Sequence, residues 1–225
     1  MTVTMGPATV FQESHLSGKK LINPMERNIY LIRHGRPALP DHQLRFLGST
    51  DLSLSEEGIN QARKLRHILE GRDFERVFHS GMKRALQTAE LIFETRPVNM
   101  EIIPEFREIA FGEWENLSMR EISQQDPAAF KARGEDFANF TPPGGENFTD
   151  LQERAYPAFE KILSSTTGDI MIVGHAGVFK SIILRILGLS LQHIFSFRLD
   201  YCGITLIYQQ NIDLSLRKLN WTPEI

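Results

Sequence analysis

At 225 residues, with 41% hydrophobic and 24% charged side chains, the chain has the size and make-up of one globular domain with a single core. A formal net charge of -3 gives no footprint for nucleic acid, and no apolar run approaches the ~20 residues that span a bilayer, so neither partner is expected. The single cysteine, Cys202, cannot close an internal disulfide, which suits a reducing, cytoplasmic setting.

Residues 1–24 mix Thr, Ser, Gly, Pro and Lys without apolar periodicity, and Lys19 and Lys20 follow the weakly apolar residues instead of preceding them. That is the reverse of a secretory signal, so a flexible extension is expected there, ahead of one domain over 25–225. From Asn28 short apolar runs alternate with amphipathic stretches. Residues 28–33 read as a buried strand. Ser55 is placed to cap a helix with Ile59, Ala62, Leu65, Ile68 and Leu69 on one face, ending near Gly71. A second strand over 76–79 precedes a helix with Met82, Ala85, Leu86, Ala89 and Ile92 at helical spacing, and a third strand covers 100–103.

The pattern then loosens, although Ser118 and Glu121 have the spacing of a capping box that opens a short helix. Residues 142–145, Pro-Pro-Gly-Gly, mark a loop. A longer helix follows, burying Phe148, Leu151, Ala155, Phe159 and Ile162, with a kink expected at Pro157. A fourth strand over 169–173 leads to a helix over 178–187 that stops at Gly188, and two closing strands cover 203–208 and 213–219. Strands alternating with helices predict a three-layer α/β/α sandwich, with a mostly parallel sheet and helices on both faces.

Three polar clusters sit directly after predicted strands: Arg33-His34-Gly35-Arg36, Ser80 with Arg84, and Gly174-His175-Ala176-Gly177. Open α/β sheets bind ligands outside the carboxyl ends of their strands. If these strands are neighbours, two histidines and two or three arginines converge on one pocket suited to a phosphate. The arginines offer planar forks, and a helix opening near Gly177 offers unpaired N–H groups. His79, His42, His67 and His193 read as structural. Other chemistries lack their motifs: there is no Walker loop, no G-x-G-x-x-G turn, no H-E-x-x-H, and no arginine six residues after Cys202, where Tyr208 stands.

Six segments in order resemble the histidine phosphatase (phosphoglycerate mutase-like) superfamily over nearly all of residues 28–219. They are residues 31–35, 48–51 with 54–58, 80–85 with 87–89, 107–112, 143–146 and 173–177. The resemblance implies His34 as nucleophile, Arg33, Arg84 and His175 around the phosphoryl oxygens, Glu108 as proton donor, and no metal or other cofactor. It also implies substrate contacts from Gly35, Arg36 and Ala176. The acid phosphatase branch carries Asp after its second histidine, and Ala176 stands there instead, so the chain resembles the branch that uses the glutamate. Arg36-Pro37 departs from the commoner Glu or Gln followed by Thr.

A phosphatase is expected in preference to a mutase, because residues 113–141 lack the paired arginines by which mutases grip a second phosphate. Residues 36–37, 46–51 and 173–178 are similar to members that act on α-ribazole phosphate, so the expected partner is a small phosphorylated metabolite of that kind. A protein that binds phospholigands without turnover is the alternative from another class. The oligomeric state is left open between monomer and homodimer.

Overall fold

The computed structural model describes residues 25–39, 45–96 and 98–222. The expected extension over 1–24 and His42 lie outside the described residues. Six strands form one sheet: β1 (Glu26–Arg33), β2 (Arg76–His79), β3 (Met100–Ile102), β4 (Ile170–Gly174), β5 (Ile204–Gln210) and β6 (Asp213–Trp221). Their order is β3-β2-β4-β1-β5-β6; the first four run parallel, and β5 and β6 are antiparallel additions beside β1.

The period of two along each strand divides the core between the two faces of the sheet. Ile29 and Leu31 of β1, with Ile170 and Ile172 of β4 and Phe78 of β2, pack against α5 (Phe148–Ser165) and α6 (Ala176–Ile186). The alternate residues Tyr30, Ile32, Met171, Val173 and Val77 pack against α1 (Glu56–Ile68) and α2 (Lys83–Ile92). Residues such as Ile29, Leu65, Phe159 and Ile172 are at most 2% exposed, each contributing ~1.5–3 kcal/mol of burial. The three-layer sandwich expected from the sequence is the observed fold.

Local signals act where they stand. The Ser55 side chain accepts from the Gly58 N–H at 3.1 Å, and Ser118 with Glu121 closes a capping box on α3 (Met119–Gln125). Pro157 lies inside α5, which continues to Ser165. One helix was not anticipated: α4 (Pro127–Glu135), capped by Asp126 and burying no residue. No helix among the described residues is long and apolar enough to cross a membrane.

Candidate active site

Because β2, β4 and β1 are adjacent and parallel, their carboxyl ends place Ser80, His175 and His34 side by side. The His34 N–H donates to the Gly174 carbonyl at 2.9 Å, which fixes the turn leaving β1 against β4. The Gly35 N–H donates to Thr88 Oγ1 at 3.0 Å, and the Thr88 hydroxyl donates to the Arg84 carbonyl at 2.6 Å. The turn passes so close to α1 that a Cβ on Gly35 would lie 2.6 Å from the Gly58 carbonyl oxygen, and one on Gly58 would lie 2.2 Å from that of Arg36. The glycines of two separate motifs are there for one close approach.

The His34 tautomer follows from its partners. Nδ1 lies 2.7 Å from the Gly35 carbonyl, which only accepts, so Nδ1 carries the proton. Nε2 then keeps its lone pair, and Arg84 Nε donates to it at 3.2 Å. His34 is 5% exposed. Burial, followed by the charges of Arg84 and Arg33, holds its pKa well below the ordinary histidine value. The ring is a neutral base whose lone-pair nitrogen faces a cation.

Arg84 is 1% exposed and is held from behind. Its two terminal nitrogens donate to the Thr50 carbonyl at 2.8 Å and the Gly48 carbonyl at 2.9 Å. That loop is gathered by Glu115, whose carboxylate accepts from the N–H groups of Gly48, Ser49, Thr50 and Phe111 and from the Thr50 hydroxyl. Burial works against the Glu115 charge, but these donors outweigh it and hold the pKa below the usual carboxylate value. Sequence reasoning missed Glu115, since a glutamate bound to backbone leaves no spacing signal.

His175 caps α6 and is fully buried, its ring centroid 5.0 Å from that of His34. Burial, then the charges of Arg84, His34 and Arg33, drive its pKa well below the ordinary value. Ser80 Oγ accepts from the Met82 N–H at 3.3 Å and lies 2.8 Å from His175 Nε2. Among the described residues, the buried side-chain polar atoms without a partner are His175 Nδ1 and Arg33 Nε, both on residues flanking His34. A buried unpaired polar group costs ~1–3 kcal/mol, and an arriving anion would relieve that of the Arg33 N–H, and of His175 in the tautomer whose Nε2 accepts from the Ser80 hydroxyl. Arg33 also donates to the Leu199 carbonyl at 2.7 Å, and its guanidinium stacks 3.8 Å above the Tyr201 ring, a neighbour the sequence did not single out.

Glu108 reaches the same cavity from the segment after β3. Its carboxylate accepts from the Ile109 and Gly177 N–H groups, each at 3.0 Å. The α6 N–H expected to be unpaired is thus already given to the acid, which fixes that side chain. Arg154 of α5 holds the segment by donating to the carbonyls of Glu105 and Arg107, and Glu146 grips Arg154 with both oxygens at 2.6 and 2.9 Å.

His34, Arg33, Arg84 and Glu108 line one cavity of about 290 Å³, with Tyr201, Phe46, Phe111, Phe148, Phe195 and Arg133 among its other walls. That is near the lower end of the ~300–1,000 Å³ typical of small-molecule sites. Four expected contacts are not brought to its wall, and the first of them, His175, is fully buried beside His34. Gly35 is packed under the turn, and Ala176 is the first residue of α6. Arg36 turns aside to pair with Glu57 at 2.8 Å, because its backbone is tied to the start of α1 through Ser55 and Gln61. His79 serves structure, accepting from the Gly81 N–H at 3.1 Å. Among the described residues no group of three or more His, Cys, Asp or Glu is placed to hold a metal ion. Burial pushes the Cys202 thiol up to about 12, so it is no nucleophile.

A family model described as the histidine phosphatase superfamily (branch 1) matches residues 29–222. The adenosylcobalamin/alpha-ribazole phosphatase of Salmonella typhimurium is 32% identical over 173 residues, which is 76% of this chain and 85% of that protein. The crystal structure of the alpha-ribazole phosphatase from Shigella flexneri superposes with a TM-score of 0.80 at 30% identity, covering 86% of this chain and 96% of the other. Phosphoserine phosphatase 1 of Hydrogenobacter thermophilus is 27% identical, over 79% of this chain and 85% of that protein.

Proposed function

The chain belongs to branch 1 of the histidine phosphatase superfamily and is a phosphatase of small phosphorylated metabolites, and from that premise we propose that His34 carries the phosphoryl group and that α-ribazole phosphate is the substrate. The observation that supports the nucleophile best is the lone pair of His34 Nε2 facing Arg84 in a buried site.

When the phosphoryl group enters, its oxygens take over the donors of Arg84 and Arg33 and the free nitrogen of His175, and the lone pair of Nε2 is released for in-line attack. The new N–P bond forms as the ester P–O bond breaks, and Glu108 gives its proton to the departing alkoxide. Water then attacks phosphorus and passes a proton to the Glu108 carboxylate. The N–P bond breaks, and its electron pair returns to Nε2. Positive side chains stabilise the charge that spreads over the equatorial oxygens.

The substrate assignment draws on the relatives, whose named substrates differ. It is tested by measuring phosphate release from α-ribazole phosphate and phosphoserine by the same preparation. The proposal expects kcat/KM for α-ribazole phosphate to be higher by tenfold or more, on the order of 1.4 kcal/mol. Equal rates, or a preference for phosphoserine, would remove it.

A further inference from the structure

Arg133 lies in α4, outside the phosphate-binding cluster, yet it lines the same cavity as His34 and Glu108. Its guanidinium carbon stands 4.9 Å from the ring centre of Phe137, 5.1 Å from that of Phe46 and 5.6 Å from that of Phe195. Each of the other arginines near this site holds at least one protein acceptor. Arg84, Arg33 and Arg154 hold backbone carbonyls, and Arg45, on the same wall as Arg133, pairs with Glu121. Arg133 has no hydrogen-bond or ion-pair partner among the described residues.

Three aromatic contacts hold a guanidinium in place at ~0.5–2 kcal/mol each, but none of these rings offers a lone-pair acceptor to its five N–H donors. The walls around it carry a complementary message. Phe46, Phe111, Phe148 and Phe195 present flat apolar surface. No Ser, Thr, Asn or Gln side chain lines the cavity among the described residues. A polyol laid on that phenylalanine wall would lose its hydrogen bonds to water and recover few there, at ~1–3 kcal/mol for each unpaired group.

We propose that Arg133 is a specificity residue, and that the preferred substrate is a phosphomonoester whose alcohol has a flat apolar body ending in a hydrogen-bond acceptor. The phosphoryl group enters the histidine–arginine cluster, the body packs on the phenylalanine wall, and the distal acceptor takes the N–H groups of Arg133. This rests on the phosphatase reading above and is independent of the substrate drawn from the relatives, since it takes the chemistry of the leaving alcohol from the cavity wall alone.

The test uses three esters: phenethyl phosphate, its para-carboxylate derivative, and ribose phosphate. The wild-type chain should turn over the para-carboxylate ester best, phenethyl phosphate next, and ribose phosphate least. In Arg133→Met the advantage of the para-carboxylate over phenethyl phosphate should fall by roughly ten- to a hundredfold, the worth of a charge-assisted hydrogen bond, with most of the change in KM. Arg133→Lys, which keeps the charge without the fork, should fall between. The ratio of two esters measured on one preparation does not depend on how much of a variant is folded. An unchanged ratio in Arg133→Met overturns the role of Arg133. Ribose phosphate matching the aromatic esters overturns the apolar wall, and both results leave the phosphatase intact. No turnover on any of the three esters overturns this proposal, and phosphate release from α-ribazole phosphate by the same preparation then decides the phosphatase reading separately.

Discussion

In the proposed mechanism His34 and Glu108 depend on neighbours that hold their reacting atoms in place before any substrate arrives. Gly35 selects the His34 tautomer, and Gly177 and Ile109 orient the Glu108 carboxylate. Glu108→Gln keeps the size and removes the proton. It should slow phosphoenzyme formation from an alkyl phosphate by ~10²–10⁴-fold, and far less from nitrophenyl phosphate, whose leaving group departs unprotonated. Equal, small losses in single turnovers on both esters would take Glu108 out of the mechanism. Glu115 acts at one remove, gathering the loop whose carbonyls seat Arg84. Glu115→Gln should lower kcat/KM by about tenfold or more, a charge-assisted hydrogen bond being worth ~1.5–3 kcal/mol. In an Arg84→Ala background the same change should cost little, because the two act in series. Additive losses would mean that Glu115 serves the fold alone.

At the scale of elements, the strands and the helices with apolar faces were legible, because each buries a face whose period shows in the chain. Residues 28–33 and 169–173 alternate sides as Ile29, Leu31 and Ile170, Ile172 do. Helix α4 was missed because it buries nothing, so no period marks it, although Asp126 before Pro127 is a start signal. Arg133 went unread because two of its three aromatic contacts, Phe46 and Phe195, come from distant segments. His34, Arg33, Arg84 and Glu108 were readable as strand-end clusters or by resemblance. The fate of Arg36 was not, since its pairing with Glu57 depends on how the turn lies on α1. The start of α6 gives a further test. A Cβ at Gly177 would lie 2.5 Å from Glu108 Oε1, the end of a flexible side chain. Gly177→Ala should therefore leave the melting temperature within a few degrees of wild type while reproducing much of the Glu108→Gln loss on alkyl phosphates. A variant with unaltered activity would show that the contact does not position the acid.

For the whole molecule, burying neutral histidines ties stability to pH. Burial and the neighbouring arginine charges hold both His34 and His175 below the ordinary value of 6.5. Between the folded and unfolded values the unfolded chain binds more protons, so stability rises with pH there and is fully present only above about 6.5. Each such histidine contributes a slope of about 1.4 kcal/mol per pH unit. The melting temperature should fall as pH is lowered from about 7.5 to about 5.5, where the unfolded histidines take up their protons, and less steeply in His175→Gln. A flat profile would contradict the buried neutral pair.

The central claim, that His34 Nε2 accepts the phosphoryl group, is tested most directly by quenching a single turnover of radiolabelled substrate at neutral or alkaline pH and mapping the label. The account predicts a phosphoenzyme labile to acid and stable to base, as a phosphoramidate is, located on His34 and lost in His34→Ala together with turnover. Label that survives in that variant, or that sits on an acid-stable serine, would contradict it.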